Sequence, residues 1–238
     1  MTIYGIVIWA ENQSLKSIII SMTGFVGAAF FHGPLILGAL TFVMIIFFEK
    51  LKLSLKLLKN LKIDLYAIIV ILIIIFLIIF FIGKNINIPK IGTFENAINF
   101  EYILESIKFR SVGDAAYPSW LIPNSKIELI YKSPIRIIYF MFSPFPWEIN
   151  KIIHIAGMLD GIVFFVIVFF VFRNLKVISR SPALKVISLV ILTYIIVFGI
   201  SMGNFGTAIR HRSKFLISLI LLIAPLIPGV NFTKKIKK

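Results

Sequence analysis

The chain has 238 residues, of which 59% are hydrophobic and 25 are Lys or Arg against 10 Asp or Glu, and it contains no cysteine. A mean hydropathy of +1.01, with apolar runs far longer than a soluble core requires, makes it an integral membrane protein. Disulfides and thiolate metal sites are excluded, and three histidines give no basis for a dedicated metal site; the net charge of +15 is spread over links beside apolar segments, which suits anionic lipid surfaces rather than nucleic acid.

The N-terminus lacks a basic segment followed by a small-residue cleavage site, so no removable signal peptide is read there. Met1 to Ala10 is already mostly apolar and reads as the tail of a membrane helix, as in a fragment of a longer chain. Residues 17–48 form an apolar stretch too long for one upright helix, since about 20 residues span the hydrocarbon. His32-Gly33-Pro34 supplies a break, because proline disfavours helix in the residue before it and glycine frees the backbone. Two short helices over about 17–31 and 35–48, meeting at His32, are favoured over one long, kinked and tilted helix.

Glu49 to Asp64 carries Lys50, Lys52, Lys56, Lys59 and Lys62 between leucines, an amphipathic basic link expected on the cytoplasmic surface. Leu65 to Gly83 is a charge-free span running outward, and the chain returns over about 155–172. Arg173, Lys176, Arg180 and Lys185 mark the cytoplasmic side again, a span over about 186–202 runs outward, and the last, over about 215–230, ends in a lysine-rich cytoplasmic tail. The expected fold is all-α, a polytopic helical bundle of about five to six spans. It forms a single membrane domain over 1–238, with an outer-face loop at 84–153 that contains short amphipathic helices.

Within that loop Thr93 can cap a helix running to about Arg110, with apolar and charged residues on opposite stripes. Ser111 to Asn124 reads as irregular from its Gly, Pro and Asn punctuation. Ser133-Pro134 reads as an N-cap followed by proline, opening a short helix to about Phe142. Ser143-Pro144-Phe145-Pro146-Trp147-Glu148 has the composition of an interface anchor where the chain re-enters the bilayer.

The stretch from Gly203 to Lys214 contains Arg210, Arg212 and Lys214 with His211 between, and no acidic residue follows Asp160. Three cations in a short outer link oppose the rule that positive residues stay inside. Their counter-charge is expected from the long loop, from lipid headgroups or from an anionic substrate. Thr207 or Ser213 can cap the next helix, and a helix N-terminus with guanidinium groups suits a phosphate; snorkelling to lipid phosphates is the alternative. Arg110 and Arg136 on the same side can join them or pair with glutamates of the loop. Asp160, one to two turns inside a span, is a site candidate by its depth or else the structural partner of an arginine. His32 can act as acid or base, or be a buried, satisfied histidine.

Phe30 to Pro34, the loop from Arg110 to Pro123, Ser143 to Glu148 and Gly203 to Lys214 together resemble the C-terminal half of bacterial O-antigen or exopolysaccharide repeat-unit polymerases. An Arg-x10-Gly pattern known in some members is absent, since Leu121, Trp147 and Leu221 stand eleven positions after Arg110, Arg136 and Arg210. The resemblance implies a multi-pass enzyme of the bacterial inner membrane that joins polyprenyl-diphosphate-linked oligosaccharides without a cofactor, beside other polysaccharide-assembly proteins. It implies that Arg210, Arg212, His211, Arg110, Arg136, Tyr117 and Trp120 bind substrate, while Asp160, Asp114 or His32 assists the acceptor hydroxyl. A multispan polyprenyl-phosphate-sugar glycosyltransferase and a non-enzymatic transporter are the alternative classes. A transporter calls for internal repeats and polar residues through several spans, and neither is seen.

Overall fold

The computed structural model describes residues 1–57 and 99–224. Among them every element is helical, apart from an isolated bridge between Ala116 and Asn204. Three stretches, Gly33–Leu51, Ile152–Arg173 and Pro182–Ser201, are long and apolar enough to cross a membrane. The span expected over 65–83, the Thr93 cap and the lysine-rich tail lie outside the described residues. The chain divides into two compact units, Met1–Asn99 and Phe100–Lys238.

In the first unit, α1 (Thr2–Asn12) and α2 (Leu15–Phe31) form a tight hairpin. Gln13 takes the left-handed conformation with φ 49° and donates its N–H to the Trp9 carbonyl, and Ser14 then caps α2. Small residues let the two helices touch: a Cβ on Gly5 would lie 2.4 Å from Ser21 Oγ. α2 ends at His32, which is extended, and after one turn of 3-10 helix at Gly33–Leu35 the chain continues as α3 (Ile36–Leu57). The break therefore falls at His32-Gly33-Pro34 as the sequence favours, and α3 runs on into the lysine-rich link. Trp9, Phe25 and Phe42 form the buried centre, with Trp9 and Phe42 edge to face at 5.3 Å.

The second unit contains α4 (Phe100–Arg110), α5 (Lys126–Phe142), α6 (Ile152–Arg173), α7 (Leu175–Arg180), α8 (Pro182–Ser201) and α9 (Phe205–Ile223). The sequence places α5 in the loop, yet it packs against α6, α8 and α9. Phe140 of α5 stacks on Phe198 of α8 and meets Phe215 of α9, with ring centroids 6.2 and 6.4 Å apart.

α5 starts earlier than Ser133-Pro134. Ser125 Oγ accepts from the Glu128 N–H at 3.2 Å, and Glu128 Oε2 accepts from the Asn124 N–H at 3.0 Å, a reciprocal cap. Pro134 lies inside the helix, at a cost of about 3 kcal/mol for an interior proline, and Ser133 bonds back to the Leu129 carbonyl. The cap and the packing of the apolar positions beyond outweigh that cost.

The start of α9 also differs. The cap is neither Thr207 nor Ser213 but Asn204, whose Oδ1 accepts from the N–H groups of Gly206 at 2.8 Å and Thr207 at 3.3 Å. Arg210, His211, Arg212 and Lys214 are therefore helical residues rather than parts of a link.

Candidate functional site

Two arginines organise the second unit, and each closes the C-terminal end of another helix. The last turn of a helix leaves carbonyls without intrahelical donors, and a cation there also meets the negative end of the helix dipole. Arg136 of α5, fully buried, donates to the carbonyls of Leu121 at 2.9 Å, of Ile200 at 3.1 Å and of Met202, so it caps α8. Among the described residues it pairs with no carboxylate.

Arg212 of α9, also fully buried, does the same for α5: one terminal nitrogen donates to the carbonyls of Met141 at 3.0 Å and Ser143 at 2.7 Å. The other terminal nitrogen donates to Gly157 at 3.2 Å, and Nε donates to Asp160 Oδ2 at 2.6 Å. The counter-charge of Arg212 thus comes from α6, not from the loop, lipid or substrate. The Phe164 ring lies 5.5 Å from the guanidinium carbon.

The end of α5 lies well down α6. A Cβ on Gly161 would stand 2.3 Å from the Phe142 carbonyl oxygen, and Gly161 is about 13 Å along α6 from its first residue at about 1.5 Å per residue. Gly157 and Gly161 flank Asp160 on that helix, an arrangement that permits close backbone approach. From Ser143 the chain climbs back to begin α6, with Pro144 resting against Gly157. A buried helix end is tolerated only where protein satisfies its carbonyls, which Arg212 does here.

Above this layer three links converge. The Tyr117 N–H donates to the Gly203 carbonyl and the Phe205 N–H to that of Ala115, both at 2.8 Å. Asn204 Nδ2 donates to the Val112 carbonyl at 3.0 Å. The His154 ring packs edge to face on Phe205 at 4.9 Å, with Nδ1 facing the Asn150 N–H and the Glu148 carbonyl, each at 3.3 Å. Asp114 pairs with Lys151, whose ammonium holds the exposed carboxyl below its ordinary range.

The side chains carried by these links form an aromatic wall. Tyr139 is its hub, meeting Tyr117 at 5.3 Å, Trp120 at 6.0 Å and Phe145 at 5.0 Å, and Phe145 stacks on Trp147 at 4.9 Å. Tyr117 and Tyr139 are buried, whereas Trp120 and Trp147 are exposed by 55% and 73%, so one edge of the wall faces outward. Glu148 is half-buried against it, and its Oε2 accepts from the Phe145 N–H at 2.8 Å. Burial pushes the Glu148 carboxyl above its ordinary range, opposed by the Phe145 N–H and by Tyr139. The sequence reading took this residue only as part of an interface anchor, although a carboxylate within a Pro/aromatic turn is itself a signal.

The structure therefore connects Tyr117, Trp120, Asp114, Arg136, Arg212 and Asp160 of the expected set. Arg210 lies on the exposed side of α9, with one nitrogen 3.5 Å from Thr207 Oγ1. His211 turns toward α8, stacking on Phe198 at 4.9 Å with Nδ1 at 3.2 Å from Lys214 Nζ. Arg110 ends α4 and is half-exposed, and His32 is buried in the first unit. No group of three or more metal-ligating side chains occurs among the described residues. Comparison with protein families, with curated proteins and with solved structures finds no match.

Proposed function

We propose that this protein is an inner-membrane polymerase that joins polyprenyl-diphosphate-linked oligosaccharide repeat units, working where the three links converge. The observation that carries the reading is the outward edge of the aromatic wall, with Trp120 and Trp147 exposed on a frame that the buried arginines hold in place. Flat aromatic faces suit the apolar faces of sugar rings, and their rigidity lowers the entropy lost on binding. Arg210 supplies the charge for a diphosphate, since it is exposed and is in no ion pair among the described residues. Its guanidinium offers two parallel donors to a phosphate oxygen pair.

In this reading Arg136 and Arg212 keep the protein frame closed, because their donors are already taken by carbonyls and by Asp160. The site faces the outer side of the membrane, and the lysine-rich links face the cytoplasm. The transfer breaks the bond between the anomeric carbon and the diphosphate oxygen while an acceptor hydroxyl oxygen bonds to that carbon. The diphosphate leaves with the electron pair, and cationic donors stabilise it as it departs.

The test is turnover by the purified protein in proteoliposomes supplied with a polyprenyl-diphosphate oligosaccharide. A ladder of products lengthening by whole repeat units is expected. Substrate recovered unchanged, with the protein folded and correctly inserted, would refute the reading.

A further inference from the structure

The polymerisation proposed above leaves open which group takes the proton from the attacking hydroxyl, and the structure separates the carboxylates that are near enough to be considered. Asp114 is exposed and tied to Lys151. Asp160 is held by Arg212 at 2.6 Å and lies about 12 Å along α6 from its start, at about 1.5 Å per residue. Glu128 pairs with Lys132 at 2.7 Å near the N-terminus of α5. Glu148 alone of these four is in no ion pair among the described residues.

We infer that Glu148 is the general base of the proposed transfer, accepting the proton of the acceptor hydroxyl as its oxygen bonds to the anomeric carbon. The inference rests on the polymerase reading. Glu148 belongs to the turn that carries Trp147, so its carboxyl stands at the same wall that would hold the sugars. One oxygen is fixed by the Phe145 N–H at 2.8 Å, which orients the carboxyl without neutralising it. The neighbouring titratable groups are Tyr139 of α5, Tyr117 of the loop and the His154 ring, whose Nδ1 lies 3.3 Å from the Glu148 carbonyl. Burial makes the carboxylate more basic than an exposed glutamate, which favours proton transfer near neutral pH. Atoms and electrons balance: the hydroxyl proton goes to Glu148, the O–H electron pair forms the new glycosidic bond, and the old bonding pair leaves with the polyprenyl diphosphate.

The experiment compares wild-type protein with Glu148→Gln and Glu148→Asp in the proteoliposome assay. Glutamine retains a carbonyl oxygen to accept from the Phe145 N–H, so the turn is preserved while the proton acceptor is lost. The expected result for Glu148→Gln is a fall in kcat of about 100-fold or more with KM within about twofold. Glu148→Asp should keep part of the rate with a displaced acidic limb of the pH profile. If wild type elongates and Glu148→Gln elongates equally well, the inference is overturned and the polymerase reading stands. If wild type itself fails to elongate, both fall. Should Glu148→Gln fail to insert, Glu148→Asp decides: an unchanged rate and pH profile would overturn the inference.

Discussion

Arg212 Nε lies 2.6 Å from Asp160 Oδ2, across 52 positions of sequence, with the arginine side chain fully buried and the carboxylate side chain 31% exposed. The pair joins α9 to α6, and of the other two nitrogens of the same guanidinium one holds the end of α5 and the other the Gly157 carbonyl of α6. Removing one partner of a buried pair costs about 3–5 kcal/mol, and Arg212→Met also strands the carbonyls of Met141 and Ser143. Asp160→Asn keeps an acceptor for Nε but leaves a fully buried guanidinium without its counter-charge, so its cost falls in that range and Arg212→Met should cost more. Thermal unfolding in detergent checks the order; an equal loss in both variants would mean that the carbonyl contacts contribute nothing.

Arg136 gives a second, local expectation. Arg136→Met leaves the carbonyls of Leu121, Ile200 and Met202 without their donor, and hydrogen bonds to a charged group contribute about 1.5–3 kcal/mol each. Hydrogen exchange should rise first in the last turn of α8 and at the Ser119–Leu121 turn, with the first unit unaffected. Uniform loss of protection across the second unit would show that the arginine does more than cap.

The helices were legible in the sequence, and the reasons differ from one to the next. Long apolar runs give α6 and α8 directly, and His32-Gly33-Pro34 marks the break between α2 and α3 because backbone chemistry acts locally. The start of α5 was not legible in this way: Pro134 is a strong local signal, and it is outweighed by the cap at Ser125 and by packing that no local pattern shows. The start of α9 is masked in the sequence because Arg210 to Lys214 look like a polar link, although the Asn204 cap precedes them. The arginine roles are legible only in part: an arginine partner for Asp160 is one of the two sequence readings, and Arg212 is that partner, but the capping of helix ends is hidden. The acceptors of Arg136 are backbone carbonyls, identical for every residue type, and the partner of Arg212 is 52 residues away.

Gly161 offers a test of the close layer between α5 and α6. A methyl group there would stand 2.3 Å from the Phe142 carbonyl oxygen, so Gly161→Ala should displace the end of α5 and loosen the Arg212 contacts. A loss of about 1–3 kcal/mol is expected for such overpacking. A crystal or cryo-EM structure of the variant with the Arg212 to Ser143 contact intact would contradict this.

Acidity separates two carboxyls of the converging links. Asp114 has its folded pKa depressed below its ordinary 3.8 by Lys151, so its contribution is present above that value and is lost as pH falls through the folded value. Glu148 is raised above its ordinary 4.5, so its contribution is present below 4.5 and is lost as pH rises through the folded value. Unfolding midpoints of wild type and Glu148→Gln, measured from 4.5 upward, should therefore converge or cross in favour of the variant. Parallel curves would show that Glu148 is not perturbed.

The absence of cysteine makes single-cysteine labelling direct. Trp120→Cys should react with an impermeant reagent from the outer side and Leu55→Cys only after the membrane is opened. Labelling of both from one side would contradict the proposed topology.

Arg210 carries the central claim, because it is the exposed cation assigned to the diphosphate while its neighbour Arg212 is buried in the frame. Lysine keeps the charge and loses the planar two-point contact, and among the described residues the Arg210 guanidinium donates to Thr207 Oγ1 at 3.5 Å and joins no ion pair. The most direct measurement is polymer length made by Arg210→Lys and Arg210→Gln proteins at matched abundance in the membrane. The account predicts normal insertion and stability with long polymer lost in Arg210→Gln and strongly shortened in Arg210→Lys; polymer of wild-type length from both variants would contradict it.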